Sequence, residues 1–286
     1  MTIMRYALAQ YIAVMALAGS SAGQAHDFWI QPSAWQPKPG ATVEFTLEVG
    51  HGADRQRSPI RASRITVLRA VDSTGAAVDL RPNLHVGNVK SDLTLQDTEG
   101  KPQVIALVTD ASAESHLAAD RFNFHLREEG LTEAIAWRAA RQKTANEGSE
   151  NYGRVAKALL ASTDPNHDSS VFMKPLGLEL EIVPGADPYK PSNANLPIRV
   201  LWKGTPLQGA TVKLYDLAND VAPKAGCQTD QAGTCSFGLT RSGSWLLNVV
   251  WSTANPQGSP TDFRTIFSSL SFGFDGNGEG ESENRE

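Results

Sequence analysis

The sequence predicts a mainly β protein built of two β-sandwich domains, with a helical hairpin inserted at the end of the first. Three observations support this fold class. Short apolar runs alternate with polar residues at a period of two, and Gly, Pro, Asp and Asn separate these runs. One stretch changes to helical spacing. With 41% hydrophobic residues among 286, the chain can bury a substantial core.

The first 25 residues have the pattern of a secretory signal peptide. Arg5 precedes an apolar run over residues 6–18, and small residues follow. The run is roughly 13 residues long, shorter than the roughly 20 that span a bilayer, so we expect its removal. Cleavage after Ala25 fits the small-residue rule, as do cuts after residues 22 and 23. The expected product is periplasmic or secreted, with no membrane span in the mature chain.

The predicted cut after Ala25 makes His26 the new terminus. A terminal histidine offers its α-amine and one imidazole nitrogen to the same ion, and a metal readily displaces the proton of the amine. A cut after Gly23 instead places His26 third in the chain, where copper or nickel can also bind through backbone nitrogens. A histidine that merely follows a cut site is the remaining alternative.

The first domain is predicted over residues 26–183. In residues 42–49 the side chains of Val43, Phe45, Leu47 and Val49 alternate with polar residues, which predicts a half-buried strand. Further strands are predicted at residues 65–68, 104–108, 122–126 and 176–183.

The helical hairpin is predicted over residues 128–161. Leu131, Ala134 and Ile135 share one face, and a second helix is predicted from Ser149 onward. The basic residues of this segment are interpreted as a solvated helix face, with anion binding as the alternative. These residues are Arg138, Arg141, Lys143, Arg154 and Lys157.

The chain after the hairpin divides into three further parts. Residues 184–197 are rich in proline and read as a linker. Residues 198–273 predict a second, smaller sandwich, in which Trp245, Leu247, Val249 and Trp251 lie on one face. Residues 274–286 are acidic and lack apolar content, which predicts a disordered tail.

Cys227 and Cys235 flank a turn-rich segment between two runs of strand character. We expect them to face each other across a hairpin and to form a disulfide, which an oxidising compartment permits. A soft metal site is the alternative, but it needs more sulfur ligands than two cysteines supply.

The charge of the chain excludes one class of partner. Loss of Arg5 with the signal changes the formal charge from −5 to −6, and no basic run follows, so we expect no nucleic-acid partner. After residue 25 the chain has neither G-x-S-x-G nor H-E-x-x-H, so no motif points to hydrolysis.

His51 continues the alternation of the predicted strand at residues 42–49. If the strand persists through Gly50, the imidazole lies on the inward side at the end of the strand, where a site can be held rigidly. The alternative is a histidine that caps the turn after the strand.

Four segments together resemble a bacterial family of exported proteins of unknown function. They are HDFWI at 26–30, VGHG at 49–52, REEGL at 127–131 with ENYGRVAKALL at 150–160, and WKGTPLQGATV at 202–212. Members of that family are commonly described as periplasmic components of cobalt or nickel uptake. The last segment resembles a prealbumin-like or carboxypeptidase-regulatory-like β-sandwich. The resemblance implies that His26 and His51 are metal ligands and that a metal-uptake permease complex is the partner.

The resemblance leaves the fourth ligand open. Relatives often carry a further histidine where this chain has Trp251. The amine, His26 and His51 supply three donors, whereas copper or nickel with nitrogen ligands prefers about four. Water, a partner protein, or the carboxylate of Asp27 or Asp54 could supply the fourth.

Three classes of function are compatible with the sequence. The first is a periplasmic protein that binds or delivers a divalent transition metal, nickel, cobalt or copper, and is not an enzyme. The second is a copper oxidoreductase, because an amine, a terminal histidine and a second histidine resemble a histidine brace. The third is a metal-free module that binds a glycan or a protein. We favour the first.

Overall fold

The computed structural model describes residues 27–96, 100–190 and 195–275. This part of the chain is mainly β, with two α-helices, as predicted. The helices are α1 (Ala119–Glu128) and α2 (Thr132–Ala140), and short 3₁₀ turns lie at Ala62–Arg64, Arg81–Asn83 and Ser170–Met173. The strands are β1 (Asp27–Pro32), β2 (Thr42–His51), β3 (Asp54–Arg57), β4 (Ile65–Asp72), β5 (Ala77–Asp79), β6 (Leu93–Gln96), β7 (Gln103–Thr109), β8 (Ala113–Leu117), β9 (Gly148–Leu160), β10 (Leu180–Pro184), β11 (Asn195–Trp202), β12 (Thr205–Pro206), β13 (Thr211–Asp216), β14 (Ala225–Gln228), β15 (Thr234–Gly238), β16 (Gly243–Ala254) and β17 (Phe263–Phe274).

The described strands form three sheets. The largest has nine strands in the order β14-β13-β16-β17-β9-β7-β4-β5, with β8 also paired to β9. Two sheets of four strands accompany it: β1-β2-β3 with β6 on β2, and β10-β11-β12 with β15 on β11. β17 and β9 run parallel, and the other pairs of the nine-stranded sheet are antiparallel.

The nine-stranded sheet is buried on both faces, because a smaller sheet covers each. On β7, Val104 and Ala106 belong to one core, which they share with residues of β10 and β11. Ile105 and Leu107 on the same strand belong to a second core, which they share with residues of β1 and β2. Helices α1 and α2 pack against a third cluster on β16 and β17. The architecture is therefore a layered β-sandwich with a helical hairpin.

The helix predicted from Ser149 onward is wrong, because residues 148–160 form strand β9. Val155 and Leu159 face one core, whereas Ala156, Ala158 and Leu160 face the other. A strand buried on both faces carries apolar residues without alternation, so its pattern can be mistaken for that of a helix.

The strand predicted at residues 122–126 is also wrong, because this segment lies in α1. Phe122 and Leu126, four residues apart, are buried, whereas Phe124 is exposed. This is the spacing of one helix face, which a run of five residues does not distinguish from alternation. The helical hairpin therefore occupies residues 119–140 rather than 128–161.

Two basic residues of the predicted solvated face are buried. The guanidinium of Arg138 donates to the carbonyl oxygens of Lys143 (2.8 Å) and Asn146 (2.6 Å). These bonds hold the segment that follows α2 against the helix. Lys157 lies on β9, and its Nζ is 2.8 Å from Glu181 Oε1. The interpretation as a solvated face was wrong for both residues, because backbone carbonyls accept the hydrogen bonds of Arg138 and a carboxylate balances the charge of Lys157.

The segment predicted as a linker, residues 184–197, lies between two paired strands. β10 and β11 run antiparallel, with Leu180 opposite Trp202. Strands from the two sides of this segment, β9 and β17, also pair in the large sheet. The domain boundaries stay a prediction, but the two predicted domains share a sheet. Most of the predicted tail, residues 276–286, lies outside the described residues.

The disulfide between Cys227 and Cys235 is confirmed. The two cysteines do not face each other across a hairpin, however. Cys227 lies on β14, which pairs with β13, and Cys235 lies on β15, which pairs with β11. The bond therefore joins two different sheets.

We expect the double substitution Cys227→Ser and Cys235→Ser to lower the free energy of unfolding by about 2 to 3 kcal/mol, because it releases a closed loop in the unfolded chain. Urea unfolding of the variant and of the oxidised wild type measures the difference. Reduced wild type serves as the control and should match the variant. Equal stability of the oxidised and reduced proteins would contradict the expectation.

Within residues 27–96, 100–190 and 195–275, neither helix has the length and apolar content required to cross a bilayer.

Candidate functional site

The predicted site lies where β1 begins and β2 ends. The two strands are antiparallel, with Asp27 opposite Gly50. β1 is also held by the large sheet, because Ser269 Oγ and Ser271 Oγ on β17 donate to the carbonyl oxygens of Phe28 and Ile30, both at 2.7 Å. These bonds fix the start of β1 against the end of β2.

His51 and Asp27 are close to each other at this point. His51 Nδ1 lies 3.9 Å from Asp27 Oδ2, and the side chains are 40% and 4% exposed respectively. The carboxylate of Asp27 raises the pKa of His51 above its ordinary value, because it favours the imidazolium form, although partial burial opposes the shift. Asp27 Oδ2 has no hydrogen-bond partner among the described residues.

His51 lines a cavity of about 590 Å³. Its walls are α1 and the segment 221–223, and β13 contributes Lys213 and Tyr215. The exposed side chains of Phe124 and Val221 lie among the lining residues. The cavity has the size of a small-molecule site, which lies between roughly 300 and 1,000 Å³.

A buried ion pair lies beside the histidine. Lys213 Nζ is 2.8 Å from Glu129 Oε2, and both side chains are about nine-tenths buried. Burial raises the pKa of Glu129, although Lys213 opposes this effect. Burial also raises the pKa of Tyr215, and the negative charges of Asp27 and Glu129 add to the increase. The site thus combines His51 with two carboxylates and one ammonium.

His125 also lies on the wall of the cavity, although it was not among the site residues predicted from the sequence. Its side chain is 11% exposed, and Nε2 lies 4.0 Å from Glu150 Oε1. Glu150 in turn accepts a hydrogen bond from Thr265 Oγ1 at 2.5 Å. A helical reading of residues 119–128 would have placed His125 three residues after Phe122 and one before Leu126, near the buried face.

The sequence related Asp54 and Trp251 to the fourth ligand, and the structure places the two differently. Asp54 is exposed and lies opposite His51 in the register of β2 and β3. Trp251 packs against the core on the β10–β11 side of the large sheet. Tyr215, which faces Asp27, belongs to the core on the other side. Trp251 is therefore on the opposite face of the sheet.

His26, the first predicted ligand, lies outside the described residues. Within the described part of the chain, no three His, Cys, Asp or Glu side chains converge as a metal site. The ligand roles predicted for His26, His51, Asp27 and Asp54 stay predictions. A site at this position requires donors beyond those that the structure describes.

Comparison with known proteins gives one family match. A family model described as a domain of unknown function (DUF4198) matches residues 23–253. No curated protein matches this chain. Among solved structures, the D0-D1 domain of intimin is similar at 10% identity and a TM-score of 0.18, over 86% of this chain and 97% of that one. A TM-score this low supports no conclusion about fold or function.

Proposed function

The chain belongs to the DUF4198 family, and on that premise we propose that it is an exported periplasmic protein that binds a divalent transition metal. The proposed ligands are the α-amine and imidazole of His26 and the imidazole of His51. The ion is nickel, cobalt or copper, and the protein assists its uptake or delivery as cargo. The proposed partner is a permease complex that carries the ion across the membrane.

The register of β1 and β2 is the observation that supports this proposal most. Asp27 is opposite Gly50 and Phe28 is opposite Val49, so the first described residues of β1 lie beside the end of β2 that carries His51. In the sequence His26 directly precedes Asp27, so the predicted cut after Ala25 leaves one residue before this paired position.

The residues present fit a transition-metal ion. Imidazole and amine nitrogens suit nickel, cobalt and copper, and a nearby carboxylate compensates positive charge. Asp27 Oδ2 is a buried carboxylate oxygen without a hydrogen-bond partner among the described residues. A cation beside it would offset the cost of that burial.

The surroundings of His51 favour delivery over permanent retention. Its side chain is 40% exposed and lines an open cavity, so an ion can enter and leave without unfolding of the chain. A structural metal site is by contrast closed by four protein ligands.

The first test is the terminus and its metal content. We expect intact mass to show an exported chain that begins at His26, and calorimetry with Co²⁺ to show one ion per metal-free chain. A chain that begins at Gly23, or the absence of binding, would contradict the proposal. Sustained peroxide production by the reduced copper form would favour an oxidoreductase instead.

A further inference from the structure

The carboxylate of Asp27 is buried from solvent and faces His51. Its side chain is 4% exposed, and Oδ2 lies 3.9 Å from His51 Nδ1. Oδ2 is buried without a hydrogen-bond partner among the described residues, and a buried carboxylate oxygen of this kind is costly unless another group interacts with it.

Other polar groups also lie near Asp27. Lys213 Nζ is paired with Glu129 at 2.8 Å. Tyr215 interacts with the same carboxylate, and its phenol, which burial keeps neutral, can donate a hydrogen bond to it. Arg154 also interacts electrostatically with Asp27. A carboxylate has two oxygens, and Oδ2, which has no hydrogen-bond partner among the described residues, is the one that lies 3.9 Å from His51 Nδ1.

The geometry points to a positioning role for Asp27: we propose that Oδ2, 3.9 Å from Nδ1 in this structure, moves within hydrogen-bond distance, accepts a hydrogen bond from Nδ1–H of His51 and thereby leaves the ring nitrogen Nε2 as the metal ligand. This inference rests on the proposed function. The two nitrogens of a neutral imidazole differ, and the hydrogen bond at one decides which is free to bind a metal. Asp27 is then a partner of the ligand and not itself the fourth ligand.

The inference predicts that the effect of an Asp27 substitution on metal affinity depends on the presence of His51, whereas the effect of losing a direct ligand would not. Loss of a carboxylate that orients a metal-binding histidine typically weakens binding 10- to 100-fold. We expect Asp27→Ala to lower the affinity for Cu²⁺ by about that factor, and Asp27→Asn, whose amide oxygen still accepts a hydrogen bond, to lower it less. In a chain that already carries His51→Ala, Asp27→Ala should have no further effect.

The experiment is calorimetric titration of the metal-free proteins with Cu²⁺ as the only metal. The proteins are the wild type, Asp27→Ala, Asp27→Asn, His51→Ala and the double variant Asp27→Ala with His51→Ala. Copper is chosen because it binds nitrogen sites most tightly, so the affinities of weak variants remain measurable. Asp79→Ala, which removes an exposed carboxylate on β5 that is not among the candidate ligands, is the matched control and should bind like the wild type. Melting temperatures verify that each variant folds. If Asp27→Ala weakens Cu²⁺ binding as much in the His51→Ala background as in the wild type, Asp27 is a direct ligand and the inference is overturned. An Asp27→Ala protein that otherwise keeps His51 and binds Cu²⁺ like the wild type would also overturn it.

A second measurement separates this inference from the metal-binding proposal. In the metal-free wild type, ¹⁵N chemical shifts of the His51 ring should show the neutral tautomer that carries the proton on Nδ1. Asp27→Ala should reduce the share of that tautomer. If the wild type binds no metal, the proposed function fails, while the tautomer result still decides the role of Asp27. An Nε2-protonated ring in the wild type would contradict that role.

Discussion

A chain that carries one extra glycine before His26 should bind Co²⁺ about 10²- to 10⁴-fold more weakly than the chain that begins at His26. The extension turns the α-amine beside the imidazole into an amide, so two linked donors become one, and linked binding groups contribute factors of this size. Co²⁺ is the probe because copper and nickel can also bind through backbone nitrogens of an extended terminus.

Both chains can be released from a fusion protein by a protease, so that they differ at the terminus alone. Titration of each metal-free protein gives the two dissociation constants. His51→Ala in the authentic chain should also weaken binding, whereas Asp79→Ala, which removes an exposed carboxylate on β5, should not. Equal affinities of the extended and authentic chains would show that His26 merely follows a cut site.

Glu181→Ala should lower the free energy of unfolding by about 3 to 5 kcal/mol, because it leaves the ammonium of Lys157 buried without a counter-charge. The two side chains are 3% and 1% exposed, and their charged atoms are 2.8 Å apart. Glu181 also accepts hydrogen bonds from the backbone amides of Leu176, Gly177 and Leu178. Burial lowers the pKa of Lys157, which agrees with the cost of keeping this charge in the core.

The double variant Glu181→Gln with Lys157→Met is the informative comparison. It removes both charges and keeps one acceptor oxygen, which can serve the amides of Gly177 and Leu178 that now share Oε2, so it should recover part of the lost stability. The surface pair Lys90 and Glu44, whose side chains are 78% and 28% exposed, is the control, and Glu44→Gln should leave the urea midpoint nearly unchanged. A Glu181→Ala protein as stable as the wild type would show that the buried pair contributes nothing.

The alternating strands were predictable from the sequence. Residues 42–49 alternate strictly, and the structure has β2 over Thr42–His51, with His51 at its end as expected. Trp245, Leu247 and Val249 share one core as predicted, although Leu246 between them is buried in the other core. Where one face is buried and the other is not, the period of two is visible in the residue types.

The segments that were predicted wrongly are buried in ways that the local amino-acid composition does not reveal. β9 is covered on both faces, and its Lys157 is neutralised by a residue 24 positions away, so neither feature appears in the local pattern. The site shows the same limit. The strand phase predicts an inward His51, but the Asp27 carboxylate and the helix that carries His125 come together through the tertiary fold alone.

The place of β17 in the large sheet has a consequence for folding kinetics. It is the last described strand along the chain, yet it lies between β16 and β9, and Phe263 pairs with Glu150. During synthesis one edge of β9 therefore stays unpaired until more than a hundred further residues have followed it. Non-local pairing of this kind is associated with slow folding. An open edge strand can also pair with another chain, so the interval before β17 docks is the period in which the nascent protein is most prone to aggregation and most dependent on chaperones.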